Sequence, residues 1–295
     1  MAIGITPDTT NENPYISVAE YKNAPTAVSI STLVVNGNQQ AQDAELANVI
    51  MRASSYMNEY FNANLVADEY TETQRIRYSQ SSGYFALHPN NSPIISLSDF
   101  QYGSNPNNLY SIADCSKCWF EGQQIIIPNP LLGFNWSSQG PLAFGSVSPV
   151  GWTFTKYTYV AGYVNTTILA ASVGDTEVIV DSPIGILPGQ RYRISDGYKS
   201  EWVHVSDNYV YGSATIQLQD PLVFAHDEGA TFYNMPNALK EACILITTAF
   251  IKMRGDASTT MQYTTNPSGN VPGSTRYGND IQVALDMVNK YRRIR

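Results

Sequence analysis

Apolar side chains recur at helical spacing near both ends of the chain. The segment 42–62 repeats them at i, i+3, i+4 and i+7, the pattern of an amphipathic helix, with Leu46, Val49, Ile50, Ala53, Met57, Tyr60 and Phe61 on one face. A second long helix is predicted to start with Pro236 in its first turn and to end before Gly255. Since that helix is apolar on most sides, we expect other parts of the protein to surround it.

Two further helices are predicted outside this pair. Ser17 and Glu20 have the spacing of a capping box, which predicts a helix of about two turns that Pro25 limits. The last segment, 279–295, has two apolar flanks at helical spacing: Ile281, Ala284, Leu285 and Val288 on one, Val283 and Met287 on the other. A helix that follows a turn-rich tether, 256–278, can dock on its own domain or on a neighbouring subunit, and we expect the second.

Between the long helices the pattern changes from the helical period to that of strands. Strands are predicted over 75–79, 84–88, 93–103 and 151–162. Ser81, Ser82 and Gly83 separate the first two of these runs, which predicts a hairpin there. The stretch 104–148 is predicted to be a long loop that contains the run QQIIIP.

Residues 166–235 differ in character from the rest of the chain. Short runs of alternating apolar residues are separated by Gly, Asp and Pro turns, which is typical of a small all-β sandwich or barrel. The segment holds nine acidic and three basic residues, which gives −6 out of the −8 of the whole chain. We therefore predict an α+β protein, with a small helical bundle and β-hairpins from 1–165 and 236–295, and an inserted β module at 166–235.

The amino-acid composition of the chain argues against nucleic acids as partners and favours other proteins. With a net charge of −8, the chain lacks the overall basic character through which proteins usually bind nucleic acids. Charged residues are only 14% of the chain while tyrosines number 20, a mixture that suits surfaces buried against other proteins. A polar, weakly charged β surface with no special partner is the alternative.

The sequence also indicates a compartment. No window reaches about 18 consecutive apolar residues, so we expect no membrane span. Residues 1–15 lack the basic and apolar regions of a secretory signal, and we interpret them as an arm. The three cysteines, Cys115, Cys118 and Cys243, are too few for a disulfide framework, which fits a reducing cytosol.

The common motifs of catalysis and phosphate binding are missing from the sequence. The histidines are His88, His204 and His226, and their neighbours indicate ordinary strands and turns, so we expect structural or surface roles. Cys115 and Cys118 form a single C-x-x-C without the second pair that a structural zinc site usually shows. We expect no enzyme activity, no metal and no cofactor, and a hydrolase built from scattered carboxylates is the alternative.

Two groups of side chains are candidates for binding. The aromatic residues of the β module either stack on sugars or pack in the core and hairpins: Tyr198, Trp202, Tyr209 and Tyr211. The last ten residues carry a local excess of +3, from Lys290, Arg292, Arg293 and Arg295 against Asp286. This basic end can contact DNA or an acidic patch on a partner protein, or it is a solvated helix terminus that suits the helix dipole.

Six segments of the chain carry a resemblance to a known family. They read, in order, YISVAEYKNAPTAVSI, DAELANVIMRASSYMNEYFN, TETQRIRYSQSSGYFAL, PIISLSDFQYG, FTKYTYVAGY and MPNALKEACILITTAFIKMRG. Together they resemble the head–tail connector (adaptor) proteins of tailed bacteriophages, the gp6-like family. The resemblance covers 14–103, 152–163 and 235–257, and it skips 104–151 and the β module, which separately resembles small β modules of phage structural proteins.

The resemblance implies a structural virion protein at the head–tail interface, assembled in the host cytoplasm. Family members form a homo-oligomeric ring, typically twelve-fold, that docks under the portal protein and extends the DNA channel towards the tail. Tail or stopper/terminator proteins are the partners on the other side, and DNA passes through the lumen without sequence-specific binding.

The resemblance also implies candidate contact residues. In such families the C-terminal segment often reaches the portal, and the corresponding side chains here are Ile281, Leu285, Val288, Tyr291, Arg292, Arg293 and Arg295. The inserted β module is a departure from the compact members of the family. It keeps open an alternative function, a carbohydrate-binding or receptor-contacting protein of the tail or its fibres.

Overall fold

The chain folds as an α+β protein with two compact units. The computed structural model describes residues 13–77, 84–111, 115, 117–128, 152–253 and 275–292. One unit contains residues 1–66 and 164–295, and we call it the helix–barrel unit; the other, residues 67–163, is the sheet unit. The predicted division set 166–235 apart from the helices. In the structure these residues belong to the same unit as the helices, because one wall of their sheet packs against them.

The sheet unit contains two antiparallel sheets. Their strands are β1 (Asp68–Arg77), β2 (Tyr84–Leu87), β3 (Ile94–Asn105), β4 (Asn108–Ser111), β5 (Trp119–Glu121), β6 (Gln124–Pro128) and β7 (Trp152–Ala161). One sheet has the order β1-β7-β3-β4 and the other has the order β2-β6-β5. Side chains from both sheets form one buried cluster: Phe85, Leu87, Phe100, Tyr102, Ile125, Ile127, Tyr157, Tyr159 and Ala161.

Two predictions for this unit are wrong. Strands β1 and β2 do not pair as a hairpin, since β1 pairs with β7 and β2 pairs with β6. The predicted turn at 81–83 lies outside the described residues. The predicted long loop from 104 contains strands β4, β5 and β6, because Ile125, Ile126 and Ile127 of the QQIIIP run are needed to bury the second sheet.

The helix–barrel unit contains the predicted helices. They are α1 (Val18–Asn23), α2 (Gln39–Phe61), α3 (Asn237–Met253) and α4 (Thr275–Val288), which a 3-10 turn (Asn289–Tyr291) follows. The capping box is confirmed, since Ser17 Oγ accepts from the Glu20 N–H at 3.1 Å and the Glu20 carboxylate accepts from the Ser17 N–H at 2.9 Å. In the described part of the chain, no helix combines the length and the apolar character that crossing a membrane requires.

The two long helices pack together as the sequence predicts. The predicted stripe of α2 is buried at Leu46, Val49, Ile50, Ala53, Met57 and Phe61, while Tyr60 is half-buried. Helix α3 contacts both α2 and α4, and it is buried on several sides. The expectation that other parts of the protein surround α3 is therefore confirmed.

Helix α4 does not behave as expected. The apolar flank that contains Ala284, Leu285 and Val288 packs against α3 of the same chain, and these three side chains are almost fully buried. We expected this helix to dock on a neighbouring subunit. The correction has a simple physical reason: α3 offers an apolar face within the same chain, and docking there removes the flank from water without the entropic cost of association.

The strands of the second half of the chain close into a small antiparallel barrel. They are β8 (Asn165–Thr167), β9 (Glu177–Ile179), β10 (Arg191–Asp196), β11 (Lys199–His204), β12 (Thr215–Gln217) and β13 (Thr231–Tyr233). One sheet has the order β11-β10-β13-β8 and the other joins β12 to β9. Bridges between Ile168 and Val180, and between Val205 and Leu218, connect the two sheets at both sides. The all-β prediction is confirmed, with a barrel rather than a sandwich.

A buried ion pair joins the helices to the barrel. Lys240 Nζ of α3 lies 2.6 Å from Glu20 Oε1 of α1, with side chains only 8% and 15% exposed. Thr231 of β13 donates its hydroxyl to the same oxygen at 2.9 Å, and the ammonium lies 3.6 Å from the ring centroid of Tyr233. Burial lowers the pKa of Lys240, and the carboxylate of Glu20 opposes that shift. Three elements therefore meet at one carboxylate.

We predict that Lys240→Met destabilises the protein by about 3–5 kcal/mol, since it leaves Glu20 buried without its cation. The double variant Glu20→Gln/Lys240→Met should be clearly more stable than Lys240→Met, because no uncompensated charge is left. Urea unfolding measures both changes in the free energy of unfolding. As a control, Lys22→Met breaks a half-exposed pair with Asp43 and should destabilise the protein far less than Lys240→Met. A double variant no more stable than Lys240→Met would contradict the assignment.

Candidate functional site: interaction surfaces

The histidines occupy structural positions. His226 is buried, and its Nε2 lies 3.0 Å from Glu201 Oε1. His204 is half-buried on β11 opposite Arg191 in the strand register. The backbone N–H of His88 donates to the side-chain carbonyl of Gln74 at 3.3 Å. Among the residues that the structure describes, no three His, Cys, Asp or Glu side chains are grouped so that they could hold a metal ion.

The cysteines lie in two separate places. Cys115 and Cys118 lie in one turn, where the Cys118 N–H donates to the Cys115 carbonyl at 3.0 Å, and both pack against the buried cluster of the sheet unit. Cys243 is fully buried in α3, with Ser54 Oγ 3.8 Å from its sulfur. Burial raises the pKa of this thiol to about 12, so it stays protonated at neutral pH and is a poor nucleophile.

The predicted portal-contact residues fall into three groups. Leu285 and Val288 are buried inside their own chain and Ile281 is half-buried beside them. Tyr291 is half-buried and Arg292 is exposed. Arg293 and Arg295 lie outside the described residues. The buried pair contributes to the position of α4, and among the described candidates Arg292 is the exposed one.

The end of the chain is held against α2. The hydroxyl of Tyr60 donates to Asn289 Oδ1 at 3.0 Å, and the guanidinium of Arg292 lies 5.1 Å from the ring centroid of Tyr60. On α4, Val283 and Met287 are exposed, so the second apolar flank predicted from the sequence faces solvent. The arrangement presents a basic terminus next to an exposed apolar flank.

The aromatic side chains of the barrel divide between core and surface. Tyr209 is 5% exposed, and its hydroxyl donates to the Ser213 carbonyl, so this residue packs in the core rather than being available to stack on a sugar. Tyr198, Trp202 and Tyr211 are 95%, 54% and 47% exposed. Large exposed aromatic side chains in a weakly charged surface are typical of contacts with other molecules.

One of these aromatic side chains belongs to a basic patch. Strand β10 places Arg191 and Arg193 on the same face, and Trp202 of β11 lies opposite Arg193. The two guanidiniums lie 4.8 and 5.9 Å from the indole centroid, and Arg193 donates to Ser200 Oγ at 2.6 Å. Neither arginine forms an ion pair with any described residue. We call Arg191, Arg193 and Trp202 the basic patch.

A second surface surrounds the loop between β12 and β13. The carboxylate of Glu201 accepts from the N–H groups of Val223 and Phe224, each at 2.9 Å, and the same carboxylate contacts His226. Val223 and Phe224 are nevertheless 65% and 42% exposed. A carboxylate that is itself mostly buried therefore fixes the backbone of a loop whose apolar side chains point to solvent.

Acidic residues border this loop. The N–H of Asp227 donates to Asp196 Oδ2 at 2.9 Å, which ties the loop to the β10–β11 turn, and Tyr198 stands exposed in that turn. Asp227 and Glu228 are exposed and form no ion pair with any described residue. We call Val223, Phe224, Asp227, Glu228 and Tyr198 the acidic patch.

Sequence reasoning missed the acidic patch as a surface. The available signal was the run PLVFAHDEGA, in which an apolar group follows a proline and precedes two acids in a predicted turn. An apolar group in a turn is unusual, because loops normally expose polar side chains. What the sequence did not show is the carboxylate of Glu201, which lies 22 residues before Val223.

The comparisons with known proteins leave the family open. No protein-family model matches the chain, and no curated protein matches it. Among solved structures, the chain is similar to one described as "Neck of empty GTA particle computed with C6 symmetry", with 11% sequence identity and a TM-score of 0.38 over 96% of this chain and 95% of that chain. A likeness at this TM-score carries no argument, so membership of the gp6-like family stays a prediction from the sequence.

We predict that Cys243 makes the fold sensitive to alkaline pH. From pH 9.0 up to about 12 the thiol is deprotonated in the unfolded chain and protonated in the fold. The folded state then binds more protons, so this group lowers the free energy of unfolding by about 1.4 kcal/mol per pH unit.

The measurement is urea unfolding of the wild type and Cys243→Ala at several pH values above about 8. The variant should show a flatter decline with pH, and comparing the two cancels the buried tyrosines and Lys240, which both proteins share. Cys115→Ala, at a half-buried thiol in the sheet unit, is the matched control. Parallel declines for the wild type and Cys243→Ala would contradict the prediction.

Proposed function

We propose that the chain is a structural protein of the phage virion, a head–tail connector without catalytic activity. It forms a ring that joins the portal of the head to the tail, extends the DNA channel and takes part in head completion and DNA retention. The observation that carries the proposal is the helical core, in which the N-terminal helices α1 and α2 pack with the C-terminal helices α3 and α4. The segments that resemble the connector family supply three of these four helices.

Surface charge supports a conduit role. A channel that lets DNA pass must not bind phosphates tightly, since counterion release would make a basic lining hold the duplex. The chain has a net charge of −8, and its only strongly basic segment is the C-terminus. Arg292 is exposed at that terminus, where it can meet an acidic surface of a portal protein rather than line a channel.

The exposed aromatic side chains favour the alternative function, a carbohydrate-binding or receptor-contacting protein. Trp202 is the best candidate for stacking on a sugar ring, because it is 54% exposed. The guanidinium of Arg191 already lies over that indole at 4.8 Å and occupies one of its two faces. A carbohydrate-binding or receptor-contacting function would also leave the helical core without a role, so the connector function accounts for more of the chain.

We predict that removal of residues 292–295 reduces attachment to portal-bearing heads by about tenfold or more, because the exposed basic terminus is lost. The truncation keeps Leu285 and Val288, so α4 remains packed on α3. Purified protein is mixed with DNA-filled heads that lack it, the heads are sedimented, and bound copies per head are counted on gels.

The matched control is Lys156→Glu, which reverses an exposed base on β7 and should leave attachment unchanged. Undiminished attachment of the truncated chain would remove the C-terminal portal contact. Electron microscopy of whole particles tests the function itself: density for the chain in the neck is expected. Density only at a fibre tip would overturn the connector proposal in favour of the alternative.

A further inference from the structure

The two patches of the barrel are opposite in charge. Residues 166–235 contain nine acids and three bases, and two of these bases, Arg191 and Arg193, lie in the basic patch. The acidic patch has Asp227 and Glu228 beside two exposed apolar side chains. Arg191, Asp227 and Glu228 are exposed and in no ion pair with a described residue, so each patch offers charge to an external partner. Arg193 is half-buried between Ser200 and Tyr233 and supports the patch from within.

Both patches use the β10–β11 hairpin: Arg191 lies at its open end, Arg193 and Trp202 pair in its middle, and Glu201, next to Trp202, holds the loop of the acidic patch. Strands β10 and β11 form a hairpin whose open end pairs Arg191 with His204 and whose turn follows the pair Asp196 and Lys199. At the turn end, Lys199 Nζ donates to the Ala225 carbonyl at 3.1 Å, so the loop of the acidic patch is fixed there.

Contacts within the chain hold both patches in one conformation. The loop of the acidic patch is fixed by two backbone hydrogen bonds to Glu201, at a carboxylate that is 9% exposed. The indole of the basic patch is fixed under Arg191, at 4.8 Å. A patch that is held in one conformation loses little entropy on binding, which is the usual property of a contact surface.

We infer that the barrel carries a head-to-tail contact between copies of this chain, in which the basic patch of one copy binds the acidic patch of the next. The occupant is a second copy because the barrel is otherwise strongly acidic, so two barrels repel except where the exposed Arg191 meets acids. A contact between two different patches is heterologous, and it forms a ring when the rotation that it repeats closes on itself. This inference rests on the proposed connector ring and names the surface that joins its subunits.

The geometry gives each group a role. Val223 and Phe224 of one copy pack against the exposed indole of the next, since apolar burial supplies most of the free energy of such contacts. Arg191 faces Asp227 and Glu228 at the rim, where ion pairs select the register and exclude the like-charged alternatives. Bridges next to β8 and β9, and next to β11 and β12, close the edges of the two barrel sheets, so the contact is made by side chains.

A charge-swap experiment tests the contact. Arg191→Glu places acid against acid and Asp227→Lys/Glu228→Lys places base against base, so each should weaken self-association of the purified chain by about tenfold or more. The triple variant that combines them restores opposite charges and should recover self-association. A mixture of the two parents should recover it too, because each can bind the other. Sedimentation velocity over a concentration series measures all four, with Lys156→Glu as the charge-reversal control.

If the free chain is monomeric in solution, disulfide cross-linking on portal-bearing heads tests the same contact. Arg191→Cys and Glu228→Cys proteins are mixed, assembled on portal-bearing heads and oxidised, and a covalent dimer is expected from the mixture but not from either protein alone. A ladder of higher multimers is expected from the double variant. No charge-dependent association in solution together with no dimer on the heads would overturn the inference.

The outcomes separate this inference from the function on which it rests. If the wild-type chain attaches to heads while neither swap nor cross-link has an effect, the connector function stands and the barrel contact is wrong. If the swaps change self-association while no chain attaches to heads, the barrel contact stands and the connector function fails. Cross-linked dimers from one variant alone would indicate a symmetric contact and also overturn the head-to-tail arrangement.

Discussion

The carboxylate of Glu20 is the constraint on which the helix–barrel unit depends. One oxygen caps α1 through the Ser17 N–H, and the other accepts from Lys240 of α3 and Thr231 of β13. A charge this far from water is tolerated only when its partners are all in place, so the three elements have to assemble together. The carboxylate therefore links helix and barrel, and removal of one partner alone leaves a buried charge uncompensated. The strands of the barrel and the helices belong to the same compact unit.

That arrangement leaves the surface free for other purposes. The wall of the barrel formed by β13 is covered by helices, while the β10–β11 hairpin remains open along Trp202 and Tyr198. The end of α4 is similarly divided, with Leu285 buried and Met287 exposed. In the basic patch, the exposed indole of Trp202 stands next to the exposed guanidinium of Arg191. Contacts with partners can therefore be selective without any change in the parts that hold the fold.

Sequence patterns predicted the helices well because the interactions that define a helix join residues close together in the sequence. Ser17 and Glu20 are three residues apart, and the stripe of α2 has a period that is visible without tertiary contacts. The strands of the sheet unit were harder, since β1 pairs with β7, about eighty residues later, rather than with its neighbour β2. Contacts such as Glu201 with Val223, or Glu20 with Lys240, connect residues whose proximity no spacing rule indicates. The candidate surfaces were predictable only as composition: tyrosines, few charges and a basic terminus.

Closure of the barrel has a consequence for crowding. In the proposed ring, identical chains would stand side by side at very high local concentration, where an open strand edge would recruit further strands without limit. The bridges at Ile168 and Val205 satisfy those edges inside each copy. Backbone pairing between copies is thereby unavailable to this barrel, and neighbours can recognise one another only through side chains. The geometry of the side-chain contacts then sets the number of neighbours, and a single substitution at such a contact is enough to change which copies bind one another.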